Sequence, residues 1–501
     1  MTERPLDTRP LDSELLEPQR NEQLRLVDWR FLLRRREPPR VIDLSPGRDS
    51  DALRLVSTPA GPAEADLVLA GFPTTPSLRL VRDALAPGGE VVCRWWAPRL
   101  AGPKRAKRRL RRAGFVDVRV YWPGPRPNRP PQFWLPLESR EAVAHLLAKR
   151  PAKSAAGSGL RRLWSWAARF GYLAPVYVIA RLPEGREEDI GGEHSPLLLT
   201  GGHRSINKVV GLEFEPGSLR PSAATKFARV EEAEAGLERE AAVLARLAEE
   251  RPGVEGIPVL HERLRRWGRA GVAEGAIEGD SMLDRLTAKS FPEMARRVTD
   301  LLIELAGDRE GAVGERTTLD EHLEFFEAHF GPALDETQLA ALRSAVDAAA
   351  KLPVICEHRD CSPWNIVLAA RDRPALLDWE SAEPHGVPGL DLLYFLANAV
   401  FVLEKALEAG TTRAAYRRLL DPRTPYGAVA AAETARYCEA LGLEPELIPA
   451  LRRLCWMVHC RSDHEHLRLA AAGEPALEEL RKAPFLGLLL EELEELDRAP
   501  A

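Results

Sequence analysis

From about residue 38 the chain alternates short apolar runs with amphipathic stretches. "RVIDLS" (Arg40–Ser45) reads as a buried strand stopped by Pro46 and Gly47, and "ADLVLAG" (Ala65–Gly71) reads as a second. "SLRLVRDAL" has helical periodicity, and "APGG" breaks it before a third strand, "EVVCRWW". A basic helix, "KRAKRRLRRAGF", ends at Gly114 and precedes a fourth strand, "VDVRVYWP". This alternation predicts a mostly parallel sheet over residues 38–135. "GPRPNRPPQFWLP" then reads as a Pro-rich loop, and a helix is expected from about Glu138 to Arg150. The small-residue stretch "PAKSAAGSG" and the tryptophan-rich "LRRLWSWAARFGYL" come next. The main linker is expected at the polar, Gly-containing "LPEGREEDIGGEHSP" (Leu182–Pro196).

The pattern changes after the linker. "LLLTGGHRSINKVVGLEF" reads as strand, glycine turn, strand, and "ATKFAR" as a further short strand. "EEAEAGLEREAAVLARLAEE" places Leu237, Ala241, Leu244 and Leu247 on one face of a helix. Beyond Asp280 the chain reads as mostly helical, apart from the opening stretch and "RPALLDWE". The segment Leu390–Leu403, "LDLLYFLANAVFVL", contains Asp391 and stops at Glu404, which predicts a buried core helix. No apolar run reaches the roughly 18 residues that would span a bilayer. The N-terminal "MTERPLDTRPLDSELLEPQR" lacks the apolar centre of a secretion signal. Six cysteines are scattered over 501 residues, which suits a reducing compartment, so a cytoplasmic location is expected.

Charge divides the chain. Residues 1–180 hold 32 Lys+Arg against 18 Asp+Glu, and the remainder holds 38 against 57. Opposite signs suggest domains with different partners. The basic part would meet phosphate-rich partners or simply be solvated. The acidic part would attract a cationic substrate, or simply keep the chain in solution.

The chemistry concentrates in "CEHRDCSPWNIVL" (Cys356–Leu368). Asp360 and Asn365 fall on a loop between two short apolar strands, Leu352–Cys356 and "IVLA". Asp378 ends a third apolar run in "ALLDWE". An acid, an amide and a second acid on loops around a small hairpin supply the oxygens that a hard cation such as Mg²⁺ uses beside phosphates. Phosphoryl transfer also needs a carboxylate to accept the proton of an attacking hydroxyl.

"HRD-x-x-x-x-N" followed by "D-W-E" resembles the catalytic core of the protein-kinase-like superfamily, and most nearly its aminoglycoside phosphotransferase and choline kinase branch. "SAEPHGVPGLDLLYF" leads straight into a helix with no activation loop, as in that branch. The resemblance covers roughly residues 196–470. It implies Asp360 as catalytic base, and Asn365 and Asp378 as Mg²⁺ ligands. Lys226 would contact the ATP phosphates and Glu240 would position Lys226. Gly201, Gly202 and Ser205 would form the phosphate turn, with an adenine hinge near Glu274 to Ala276. Asp391 would be a structural acid, and His358, Arg359 and Glu380 supporting residues. Arg359 stands where many relatives have Gly, and Cys361 where many have an aromatic or Leu. The turn "GGHRSIN" is not a full Gly-x-Gly-x-x-Gly. None of these departures removes a catalytic group.

Two other segments carry suggestive residues but have plainer readings. "HCRSDHEHLR" offers His459, Cys460, His464 and His466, but a structural zinc site wants four fixed ligands, and His466 leaves the shared face. A surface helix is expected there. A place near the substrate, with Asp463 and Glu465 meeting a cationic group, is the sharper alternative. "GPKRAKRRLRRAG" lacks interleaved aromatics, so a solvated face is expected and nucleic acid is not. Trp364 is expected to pack the catalytic loop.

The first half resembles the C-terminal part of a class I methyltransferase fold, in "RDALAPGGEVVC" and "RRAGFVDVRVYW". A working site needs a Gly-rich loop after the first strand and an acid ending the second. "DLSPGRDSDALRLVS" has no Gly-x-Gly, and only about twenty residues separate it from the next strand. The expected architecture is α/β plus α+β. A truncated Rossmann-like domain (residues 1–185) without methylation activity, available to a protein partner, precedes a bilobal kinase-like domain (N-lobe 186–277, helical C-lobe 278–501). The expected function is an ATP-dependent phosphotransferase acting on a hydroxyl of a small molecule or glycan. The alternatives are an inactive ATP-binding scaffold and a bifunctional protein that also methylates.

Overall fold

The computed structural model describes residues 17–47, 49–61, 63–96, 101–124, 129–148, 175–184, 195–201, 208–307, 317–471 and 473–494. The fold is mixed α/β. Two compact units divide the chain: residues 1–238 with 261–276, and residues 239–260 with 277–501. Strand pairing crosses the expected linker, where β6 pairs with β8. Among the described residues no helix is long and apolar enough to cross a membrane.

The first unit carries one 12-stranded sheet. Its strands are β1 (Arg40–Asp43), β2 (Thr58–Pro59), β3 (Ala65–Ala70), β4 (Leu85–Trp95), β5 (Val116–Gly124), β6 (Phe133–Pro136), β7 (Val176–Arg181), β8 (Leu197–Leu199), β9 (Lys208–Phe214), β10 (Pro221–Ala228), β11 (Leu260–Arg266) and β12 (Arg269–Gly275). Their order is β11-β12-β10-β9-β8-β6-β5-β7-β4-β3-β1-β2. The expected parallel sheet is confined to β2, β1, β3 and β4. β3 is buried at all six positions, the pattern of a strand covered on both faces. Helix α1 (Thr75–Ala84) starts at a capping box between Thr74 and Ser77. The basic helix α2 (Gly102–Arg112) buries Ala106 and Leu110, and α3 (Arg140–Ala148) buries Ala142 and Leu146.

Several strands lie where the sequence predicted none, and two of them, β6 and β7, join parts of the sheet. β7 forms from "VYVIAR", a β-branched and aromatic run, and inserts antiparallel between β4 and β5. β6 forms from "FWLP" inside the expected Pro-rich loop, where Phe133 pairs with Leu199 and Trp134 with Leu198 of β8. That pairing makes the sheet continuous from one end of the unit to the other. A buried ion pair adds to it: Arg229 Nη2 lies 2.8 Å from Asp28 Oδ2, both side chains wholly buried. Arg229 also donates to Thr200 O, and Arg30 donates to Arg229 O.

The second unit is mainly helical. Its largest helices are α4 (Glu234–Glu250, which begins in the first unit), α5 (Phe291–Ala306), α6 (Thr317–His329), α7 (Glu336–Ala349), α8 (Leu390–Leu403), α9 (Thr412–Leu420), α10 (Pro425–Leu441), α11 (Ile448–Ala471) and α12 (Pro484–Glu494). As the apolar run predicts, α8 is a core helix, buried from Leu390 through Phe401 except at Leu393. Short strands hold the loops: β13 (Asp280–Ser281), β15 (Ile366–Leu368) and β16 (Pro374–Leu376) form one sheet, and β14 (Ile355–Glu357) pairs with β17 (Glu383–Gly386). The strand expected at Leu352–Cys356 is therefore shorter and begins at Ile355, after the end of α7.

Candidate active site

The loop His358–Asn365 joins β14 to β15, and Asp378 follows β16. Asn365 O accepts the Leu377 N–H at 2.8 Å, which ties the two loops together. The Asn365 amide donates to Asp360 Oδ2 at 2.7 Å and to Asp360 O at 3.0 Å. Ser362 is wholly buried, and its N–H closes a turn onto Asp360 O at 2.9 Å. Burial is the main cause that pushes the Asp360 carboxyl up to about 7; the Asn365 hydrogen bond opposes it, while the charges of Asp378 and Glu380 reinforce it. The motif thus brings Asp360, Asn365, Asp378 and Glu380 together.

Asp391, at the start of α8, supports the loop from beneath. Its carboxylate accepts the His358 N–H at 2.6 Å and the Arg359 N–H at 2.8 Å. Burial and the neighbouring Glu357 both raise the Asp391 carboxyl above the usual range. His358 is wholly buried; its Nδ1 accepts the Asp360 N–H at 3.3 Å, so Nε2 carries the proton donated to Leu377 O at 3.0 Å. Arg359 has φ 62°, a conformation that glycine adopts without strain, which gives the unusual arginine at this position a physical meaning. Its guanidinium lies 3.4 Å from Glu357 Oε2 and 2.8 Å from His322 Nε2. Arg359 therefore pairs with a buried acid. Sequence reasoning missed both Glu357 and His322, because they reach the loop from β14 and α6 with no local motif.

Glu240 lies on the part of α4 that belongs to the second unit. Its Oε1 accepts the Trp379 N–H at 3.0 Å, so it holds the residue immediately after Asp378. Asp378 has φ 71°, a left-handed backbone that this contact helps retain. Trp379 is fully buried, with its ring centroid 4.7 Å from that of His358. Lys226 and Glu274 belong to the first unit, on adjacent strands β10 and β12. There Lys226 Nζ lies 3.0 Å from Glu274 Oε1, and both side chains are nearly buried. Glu274 was expected as a hinge residue; its side chain also serves as a counter-charge, a diagonal sheet contact invisible in the sequence. The Ala276 N–H is taken by Ser222 O at 3.1 Å.

Gly201 packs against β6: its N–H donates to Gln132 O at 3.0 Å, and a Cβ there would stand 2.6 Å from Gln132 Cβ. Only glycine permits that approach. Gly202 and Ser205 lie outside the described residues.

The residues can hold a hard divalent cation. Three carboxylates gather beside one neutral amide, and the Asn365 nitrogen faces Asp360, which leaves its carbonyl oxygen for a metal. A divalent charge would offset the mutual repulsion of the acids.

The histidine segment differs from the expected surface helix. His459 and Cys460 are buried on α11, and His459 stacks on Tyr394 with centroids 3.7 Å apart. Asp463 accepts the Phe485 N–H at 2.9 Å, and Glu465 lies 3.4 Å from Arg461. Both carboxylates thus have a protein partner. The side chain of His466 lies outside the described residues. All six cysteines are free thiols.

No known family matches the chain, and no curated protein matches it. Solved structures do. An aminoglycoside phosphotransferase from Streptomyces rimosus aligns at 16% identity over 50% of this chain and 89% of its own, with a TM-score of 0.35. A choline kinase from Streptococcus pneumoniae aligns at 12% identity over 60% and 93%, with a TM-score of 0.35. A thermostable mutant of another aminoglycoside phosphotransferase, in ternary complex with AMP-PNP and hygromycin B, aligns at 14% identity over 61% and 95%, with a TM-score of 0.38.

Proposed function

We propose that the chain is an ATP-dependent phosphotransferase that phosphorylates a hydroxyl of a small molecule or glycan. The observation that carries this reading is the placement of the Asp360 carboxyl, held by the Asn365 amide at 2.7 Å beside the acids Asp378 and Glu380. A buried carboxylate held in this way suits the uptake of a hydroxyl proton. Asp360 would accept the proton as the acceptor oxygen attacks the terminal phosphorus. Asn365 and Asp378 would hold Mg²⁺, with Glu380 beside them. Bound Mg²⁺ supplies positive charge against the phosphate oxygens. Lys226 would contact the phosphates next to the turn at Gly201, Gly202 and Ser205. Glu240 would support the Asp378 loop through Trp379. In this reading residues 186–277 and 278–501 act as kinase-like lobes.

Calorimetry of ATP binding tests the assignment, with and without Mg²⁺, on wild type and Asp378→Ala. Mg²⁺-dependent binding that the variant loses supports it; absence of ATP binding by wild type overturns it. ADP release with a panel of hydroxyl acceptors then separates an enzyme from a scaffold.

A second reading concerns residues 1–185, for which we infer a methyltransferase-like lineage without methylation. Its support is the parallel order β2-β1-β3-β4 with β7 inserted antiparallel beside β4. The ligand side of such a sheet lies beyond the strand ends. There the buried Arg94 guanidinium lies 2.9 Å from Asp43 and 2.6 Å from Asp49. A cofactor would have to displace this ion pair. Saturable binding of S-adenosylmethionine to the full chain is the result that would reject the inference.

A further inference from the structure

We propose that His329, His464 and Glu474 form a binding site for one divalent transition-metal ion of the zinc class, independent of the catalytic carboxylates. The three ligands come from separate segments of the second unit: the end of α6, the middle of α11, and the connection after α11. His464 Nε2 lies 3.2 Å from Glu474 Oε2, and His329 Nδ1 lies 3.9 Å from the same oxygen. All three ligand atoms fall within 4.8 Å of one another. Zinc–ligand bonds of about 2.0–2.1 Å in tetrahedral array place ligand atoms about 3.3 Å apart. One cation therefore fits among these atoms once separations of up to 4.8 Å close by about 1.5 Å or less.

The surroundings favour ligation over a simple hydrogen bond. The imidazole centroids are 4.3 Å apart. Phe325 lies 4.4 Å from the His329 ring and 5.2 Å from the His464 ring, and Phe330 lies 6.3 Å from His464. These aromatic walls fix both rings before any ion arrives. Glu474 is 70% exposed, so an ion can reach the cluster from solvent. Two imidazoles and one carboxylate make a ligand set of borderline softness, suited to zinc and poorly suited to Mg²⁺.

The site would staple α6 to α11. His322 lies on α6 seven residues before His329, and it contacts Arg359 at 2.8 Å beside the catalytic loop. The ion would thus stiffen one wall of that loop without touching it.

The test uses the full chain, stripped by chelation and titrated with Zn²⁺ by calorimetry in excess Mg²⁺, so that the catalytic carboxylates do not compete. Cobalt substitution gives an independent optical readout of tetrahedral coordination. One equivalent of Zn²⁺ is expected, retained in Asp378→Ala and weakened about tenfold or more in His329→Gln and Glu474→Gln. These two side chains are more exposed than that of His464, so both variants are expected to fold, which circular dichroism checks. Absence of zinc uptake by wild type overturns the proposal. So does uptake that His329→Gln and Glu474→Gln leave unchanged, or uptake that Asp378→Ala alone abolishes.

Discussion

The side-chain amide of Asn365 lies 2.7 Å from the Asp360 carboxylate and 3.0 Å from the Asp360 carbonyl oxygen. One residue thus holds the candidate base by side chain and backbone together. The hydrogen bond favours the ionised carboxylate and opposes the burial that raises it. Asn365→Ala is therefore expected to move the acidic limb of the kcat/KM profile to higher pH and to weaken Mg²⁺ dependence. A limb that stays in place would remove Asn365 from the control of Asp360.

Asp360 also sets a pH dependence of stability. Its carboxyl titrates near 7 in the fold and near 3.9 when unfolded, so between those values the folded state binds more protons. Stability attributable to this group falls as pH rises from about 4 to 7. Asp360→Asn is expected to lose phosphotransfer and to gain on the order of 4 kcal/mol over wild type at pH 8, with the gain vanishing near pH 4. Denaturant midpoints at the two pH values give the answer.

Asp391→Asn should disorder the loop at its base. The carboxylate offers one oxygen to the His358 N–H and the other to the Arg359 N–H, whereas an asparagine must turn an NH₂ toward one of them. A loss of about 1–3 kcal/mol is expected. Lowered kcat with nearly unchanged ATP affinity would place the effect on the loop and not on nucleotide contacts.

Glu274→Gln removes the negative charge 3.0 Å from a nearly buried lysine. A loss of about 2 kcal/mol is expected from thermal or denaturant unfolding, because the Lys226 ammonium then has less compensation for burial. An unchanged midpoint would show that other groups compensate Lys226.

Arg229→Lys keeps the charge but cannot reproduce the fork that Arg229 Nε and Nη2 extend to Asp28 while Nη2 also reaches Thr200 O. A loss of about 3 kcal/mol is expected, read from the denaturant midpoint of the full chain.

Local patterns carried much of this structure. The apolar run Leu390–Leu403 is a core helix with the expected ends, and α4 buries Leu237, Ala241, Leu244 and Leu247 as its stripe predicts. The Asp360–Asn365–Asp378 spacing located the one loop cluster in which those residues meet. Long-range pairing was out of reach. Nothing near Phe133 announces that it will face Leu199, and proline-rich surroundings argue for a loop. β7 had a readable signal in "VYVIAR", but the tryptophan-rich segment before it and the linker after it masked the run. The acidic balance of the second part suggested a cationic acceptor, whereas Asp463 and Glu465 have protein partners. Net charge does not tell which carboxylates remain available once the helices pack.

The pairing of β6 with β8 bears on how such a protein can be cut or inherited. A fragment beginning after residue 185 would start at β8 with one side stripped of its neighbour, exposing unpaired backbone groups along an apolar edge. It would also lose Gln132 beneath Gly201 and Asp28 beside Arg229. A cut at residue 185 is therefore expected to destabilise the sheet that follows it. Recombination at that point would leave an exposed apolar edge that favours association with other strands, so continuity of the chain here protects the sheet as well as ordering it.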